Sequence, residues 1–78
     1  MLYRLSELKS GAKGVIHQFD DNATKVKLME MGCLLGEPVI IEAIAPFGDP
    51  IAIQVSGYSL SLRKSDARFI WIELNNPN

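Results

Sequence analysis

The sequence predicts a mainly β fold: a small closed or nearly closed barrel of about five short strands, with one short helix inserted after the first strand. Three observations carry this expectation. Apolar and polar residues alternate through several segments, and turn chemistry recurs about every eight to twelve residues. Between the polar cluster at 20–22 and Gly32, Ala23 to Met31 is free of Gly and Pro and reads as the inserted helix. The 78 residues are too few for two cores, so they form one domain. A chain this short buries roughly two-thirds of its unfolded surface, so the 47% hydrophobic content is first of all core. Closure suits it because a closed sheet has no edges.

The elements follow in order. Ser6-Glu7-Leu8-Lys9-Ser10-Gly11 reads as one helical turn, capped by Ser6 and stopped by a left-handed Gly11. Leu2, Leu5 and Leu8 recur every third residue and seat that turn on the core. Gly14 to Phe19 forms a strand. The cluster Asp20-Asp21-Asn22 then starts the helix, with Asp21 or Asn22 as its cap, and Gly32 stands where a C′ glycine belongs. At roughly nine residues the helix needs tertiary packing to persist. Its apolar residues Val26, Leu28, Met29 and Met31 spread over more than one face, so both the barrel and something else can touch it.

After Gly36 the period becomes two. Val39, Ile41 and Ala43 alternate with Ile40, Glu42 and Ile44, and Pro46-Phe47-Gly48-Asp49-Pro50 reverses the chain. Ile51, Ile53 and Val55 form the inward set of the next strand, and Ser56-Gly57 turns it. Tyr58, Leu60 and Leu62 follow, then a helical turn over Lys64 to Ala67 and a last strand, Phe69 to Leu74. The apolar side chains end there: the ordered domain is expected over about residues 2–74, with 75–78 frayed.

Composition excludes several functions. Eight Lys+Arg against nine Asp+Glu leave a net charge of -1, which is no nucleic-acid footprint. One Cys excludes an internal disulfide framework. The start, MLYRLSELK, lacks the apolar core of a secretory signal, and Glu42 breaks the densest apolar stretch, so a cytoplasmic chain that does not enter the membrane is expected. Catalysis lacks its parts, since one His and one Cys share no local signature.

The ordered segments Leu28-Met29-Glu30-Met31-Gly32 with Gly36, Pro46-Phe47-Gly48-Asp49-Pro50-Ile51, and Gly57 with Leu62-Arg63 and Ala67 resemble the FeoA family. The resemblance spans Leu5 to Ile72. It implies an SH3-like barrel, a cytoplasmic role beside the membrane GTPase-permease FeoB in bacterial ferrous iron uptake, and no enzymatic activity. It also implies kinship with the SH3-like module of iron-dependent repressors. Cys33 stands where the family usually has an aliphatic residue and Leu35 where proline is frequent.

Leu34, Leu35, Phe47, Phe69 and Trp71 are hard to place inside so small a barrel and are expected to offer a partner surface, with Arg63 reaching a partner carboxylate. Each has a plainer alternative. The Gly48-Asp49-Pro50 turn is a hairpin device, Arg63 pairs with Asp66, and the amino-terminal turn covers Trp71. Met29 and Met31 read as core filler. No cofactor is expected. An Fe²⁺-binding regulatory or carrier domain is the rival reading, with His17 and Cys33 as the ligands, although their spacing is not that of a metal motif. Adventitious metal between neighbouring molecules, and a weak homo-oligomer, stay open.

Overall fold

Inward alternation organises the molecule. The computed structural model describes residues 1–20 and 23–74. Along β4 (Ile51–Val55), Ile51, Ile53 and Val55 are buried while Gln54 faces out. The same period places Ile70 and Ile72 of β6 (Ile70–Glu73) inside. The remaining strands are β1 (Leu2–Arg4), β2 (Lys13–Phe19), β3 (Pro38–Ile44) and β5 (Tyr58–Leu62). All pairings are antiparallel, in the order β1-β6-β2-β3-β4-β5. The sheet curls round one core, where Leu5, Ile16, Leu28, Ile41, Leu62 and Ala67 join the residues already named.

Two α-helices lie among the described residues: α1 (Ala23–Glu30), after β2, and the single turn α2 (Lys64–Ala67). The expected bounds of α2 match, and those of α1 run one residue long. No helix of the described residues is long and apolar enough to cross a membrane. The expected cap at Asp21 or Asn22 and the frayed tail at 75–78 lie outside the described residues.

The structure adds one strand to the expected set and corrects two finer expectations. The strands number six among the described residues, because Leu2–Arg4 pairs with β6 through Leu2↔Glu73, Tyr3↔Ile72 and Arg4↔Trp71. Leu2 therefore sits exposed on a strand, and only Leu5 and Leu8 reach the core. The first helical turn is a 3-10 turn over Leu5–Glu7, so Ser6 lies within it; Glu7 Oε1 accepts from the Arg4 amide at 2.9 Å. The alternation of β3 breaks at a bulge between Ile41 and Ala43. Past it Ala43 is exposed and Ile44 packs against the core, one extra residue having exchanged the faces.

β2 can approach β6 only because Gly14 has no side chain. A Cβ there would lie 2.6 Å from the Glu73 carbonyl oxygen, inside van der Waals contact with rigid backbone.

Candidate functional site

The end of α1 is closed by backbone geometry that sets the loop after it. The Cys33 amide donates to Leu28 O at 3.0 Å and the Gly32 amide to Met29 O at 3.1 Å, the paired bonds of a Schellman stop. Gly32 takes φ +101°, and Cys33 and Leu28 are buried together beneath the turn. Cys33 thus fills the apolar position such a stop calls for, as a small hydrophobe. Burial pushes its thiol up to about 11.

Side chains of the next hairpin hold this turn from outside. The Tyr58 hydroxyl donates to Met31 O at 2.6 Å, and Ser56 Oγ donates to Gly32 O at 3.0 Å. Ser56 and Gly57 both have positive φ, the two-residue turn that suits a twisted hairpin. The loop carrying Leu34 and Leu35 is therefore fixed against the β4–β5 turn. Leu34 and Leu35 are exposed at 42% and 57%, beside exposed Met29 and Tyr58. A shallow groove on the outer face of β3 and β4, lined by Glu37, Pro38, Ile40, Gln54 and Ser56, opens next to them in the chain. This end of the molecule is an apolar, pre-set surface.

The other residues singled out in the sequence lie elsewhere. Phe47 sits at the far end of the β3–β4 hairpin, where Ile44 pairs with Ile51, whereas the Leu34–Leu35 loop meets the end where Val39 pairs with Val55. A strand of this length separates them by about 20 Å. Phe69 is half-buried, with the Arg68 guanidinium 4.9 Å from its ring centre. Trp71 is half-buried under Arg4, whose guanidinium carbon lies 4.3 Å from the ring, and its Nε1 donates to Asp20 Oδ1 at 3.0 Å. Arg4 also donates to Asp20 Oδ2 at 3.0 Å and to Arg68 O at 2.6 Å. The hydrogen bonds from Trp71 and Arg4, more than the arginine's charge, hold Asp20 below the usual carboxylate range. This polar clamp fastens β1 across β6 and the end of β2.

Arg63 is exposed and does not pair with Asp66, which instead takes Lys27 Nζ at 3.0 Å. Asp49 accepts the Lys64 amide at 2.9 Å and so caps α2, while Asp49–Pro50 is cis. Gly36, Gly48 and Gly57 all take positive φ, as turns require. His17 is exposed in the β2 bulge between Ile16 and Gln18. Among the described residues no three His, Cys, Asp or Glu side chains gather to hold a metal ion.

Tyr58 and Met29 escaped sequence reasoning as surface residues. Tyr58 shares the inward parity of Leu60 and Leu62, yet at the strand start its ring turns out over Gly32. Met29 was the counterpart of Met31 in the sequence, but only Met31 packs on the core. The one available signal was the spread of apolar residues round α1.

Comparison with known proteins adds the family. A model described as the FeoA domain matches residues 3–74. The chain is 34% identical over 76 residues to an Fe(2+) transport protein A/Fe(2+) transporter FeoB fusion protein of Porphyromonas gingivalis, covering 96% of this chain and 9% of that relative. Among solved structures, a FeoA-like protein from Clostridium acetobutylicum superposes with TM-score 0.92 at 37% identity, covering 99% of this chain and 91% of the other. Zinc-complexed FeoA of Stenotrophomonas maltophilia, described as a prokaryotic SH3 domain protein, gives TM-score 0.76 at 29% identity over 94% and 89% of the two chains. The fold is SH3-like, as the resemblance to the family implies.

Proposed function

The chain belongs to the FeoA family, and on that premise we propose that it is a noncatalytic accessory domain of ferrous iron uptake that binds and modulates the membrane GTPase-permease FeoB. The observation that carries the reading is the P. gingivalis relative, in which a similar domain and the transporter share one polypeptide. Fusion keeps two partners at high effective concentration, which is useful when they work together. In this reading the domain acts at the cytoplasmic face, held there by its partner. The contact surface is the apolar end built from Met29, Leu34, Leu35 and Tyr58, exposed side chains on a braced loop that loses little freedom when covered.

Titration against the cytoplasmic part of FeoB, at physiological salt and in each nucleotide state, tests this. Binding is expected in at least one state, with Leu35→Asp weakening it by about tenfold or more. Lack of binding in every state overturns the reading. Metal carriage through His17 and Cys33 ranks second. The zinc in the S. maltophilia relative favours it, but Cys33 would have to supply a thiolate from a buried thiol whose pKa burial pushes up to about 11.

A further inference from the structure

Phe47 is the most exposed large apolar side chain among the described residues, at 98%, and its turn carries its own hydrogen bonds. The Gly48 amide donates to Ala45 O at 2.7 Å and the Ala45 amide to Pro50 O at 3.1 Å, so the loop is closed by its own backbone. Pro46 and Pro50 flank it. Asp49, bonded to the Lys64 amide, fastens the turn to the start of α2.

Two cations stand beside the Phe47 turn. Lys64 Nζ lies 3.8 Å from where a Cβ on Gly48 would be, and Arg63 precedes it in the chain; both are exposed and neither enters an ion pair among the described residues. Of the acidic groups nearest to them in the chain, Asp66 is paired with Lys27, while Asp49 accepts only the α2 amide and keeps its charge. With Asp49 counted, Arg63 and Lys64 still leave a local positive excess beside one protruding aromatic on a chain of net charge -1. No second exposed large hydrophobic accompanies Phe47 on its turn, whereas Leu34, Leu35 and Tyr58 cluster at the opposite end of the hairpin. A protein hot spot is normally a cluster of buried anchors. A lone aromatic beside two unpaired cations suits the boundary of an anionic bilayer, where the ring enters the headgroup region and each cation meets lipid phosphate.

From this arrangement we infer that the Phe47 turn and the flanking Arg63 and Lys64 form a contact site for an anionic lipid surface. The site lies about 20 Å along the hairpin from the Leu34–Leu35 loop, so membrane and protein partner can be held together. The contact is weak alone, comparable to one acyl chain at best, and adds to tethering by a partner. It goes beyond the transporter-binding reading and does not depend on it, since lipid vesicles contain no transporter.

Vesicle flotation with the purified chain tests the inference, using phosphatidylcholine alone and phosphatidylcholine mixed in equal parts with phosphatidylglycerol. Binding is expected to the mixed vesicles only, and to fall as salt is raised. Arg63→Gln and Lys64→Gln should each weaken it about fivefold, and Phe47→Ser about tenfold. Leu35→Ser, at the opposite end, should leave it unchanged. All four positions are exposed, and circular dichroism checks that each variant folds. No binding to mixed vesicles, equal binding to neutral ones, or indifference to the three substitutions overturns the proposal. So does loss of transporter binding in Phe47→Ser without any vesicle binding by the parent chain, which would assign this end to protein.

Discussion

The turns at Gly32 and Gly48 use the same backbone device for opposite ends. Their φ angles are +101° and +86°. Around Gly32 the space is full: a Cβ would lie 2.0 Å from Tyr58 Oη, and hydroxyls of Tyr58 and Ser56 hold the loop. Around Gly48 it is open, with Lys64 Nζ the nearest atom at 3.8 Å. A positive φ marks where a chain turns, and the neighbours decide whether the turn is a joint or a display. The Gly32 turn joins α1 to the sheet and exposes a cluster; the Gly48 turn displays one ring.

The largest test of this contrast is a pair of alanine substitutions. Each forces an L-residue into the left-handed region, at about 1–2 kcal/mol. Gly32→Ala must also displace the Tyr58 ring and lose its hydrogen bond to Met31, adding about 1 kcal/mol. Urea denaturation should therefore show a loss of about 2–3 kcal/mol for Gly32→Ala and about 1–2 kcal/mol for Gly48→Ala. Equal losses would break the comparison, since the packing round Gly32 would then contribute nothing. Tyr58→Phe in the Gly32→Ala background should cost nothing further, because the bond is already lost.

The same contrast explains what was legible in the sequence. Glycine placement and strand alternation are local, so Gly32, Gly48, the inward set of β4 and the bounds of α2 could be read directly. The β3 bulge could not, because both parities of that strand hold isoleucines and either could face the core. β1 was hidden because Leu2, Leu5 and Leu8 imitate a helical period over a strand of only three residues. The surplus apolar residues were identifiable as surplus, but their grouping depends on which hairpin end each occupies. Trp71 illustrates the limit: its partners Arg4 and Asp20 are 67 and 51 residues away in the chain, and no local pattern announces them.

A smaller test asks whether the Gly48 turn is display alone. Its one structural service is the bond from the Lys64 amide to Asp49. Asp49→Ala removes it and should cost about 1 kcal/mol, the usual value of a helix cap, while Asp49→Asn should recover most of that. Thermal unfolding distinguishes the three proteins. If Asp49→Ala is as stable as the parent, the turn carries no part of the fold and the division between joint and display becomes sharper. The expected loss makes it a display with one structural tie.

Acid gives the smallest effect and extends the contrast to a third aromatic. Trp71 is a tied ring like Tyr58, but its tie is a carboxylate, Asp20, whose folded-state pKa is depressed by hydrogen bonds from Trp71 and Arg4. A depressed pKa means that the stabilisation is present above the unfolded value, about 3.9, and is lost as pH falls through the lower folded-state value. The stability difference between the parent and Asp20→Asn should therefore be constant near neutrality. It should shrink only below about pH 4, as protons compete with Arg4 and the indole for the same oxygens. The carboxylate is over a third exposed, so solvent screens the effect and keeps it small. Trp71 is the sole tryptophan, and its emission reads the clamp directly. A red shift beginning below about pH 4, ahead of global unfolding, would show β1 loosening first. An emission that moves only with global unfolding, together with a pH-independent difference between the two proteins, would show that packing rather than the Asp20 charge holds this ring. Trp71 would then stand with Leu28 and Cys33 as core, and Tyr58 would be the aromatic whose polar bond alone decides its place.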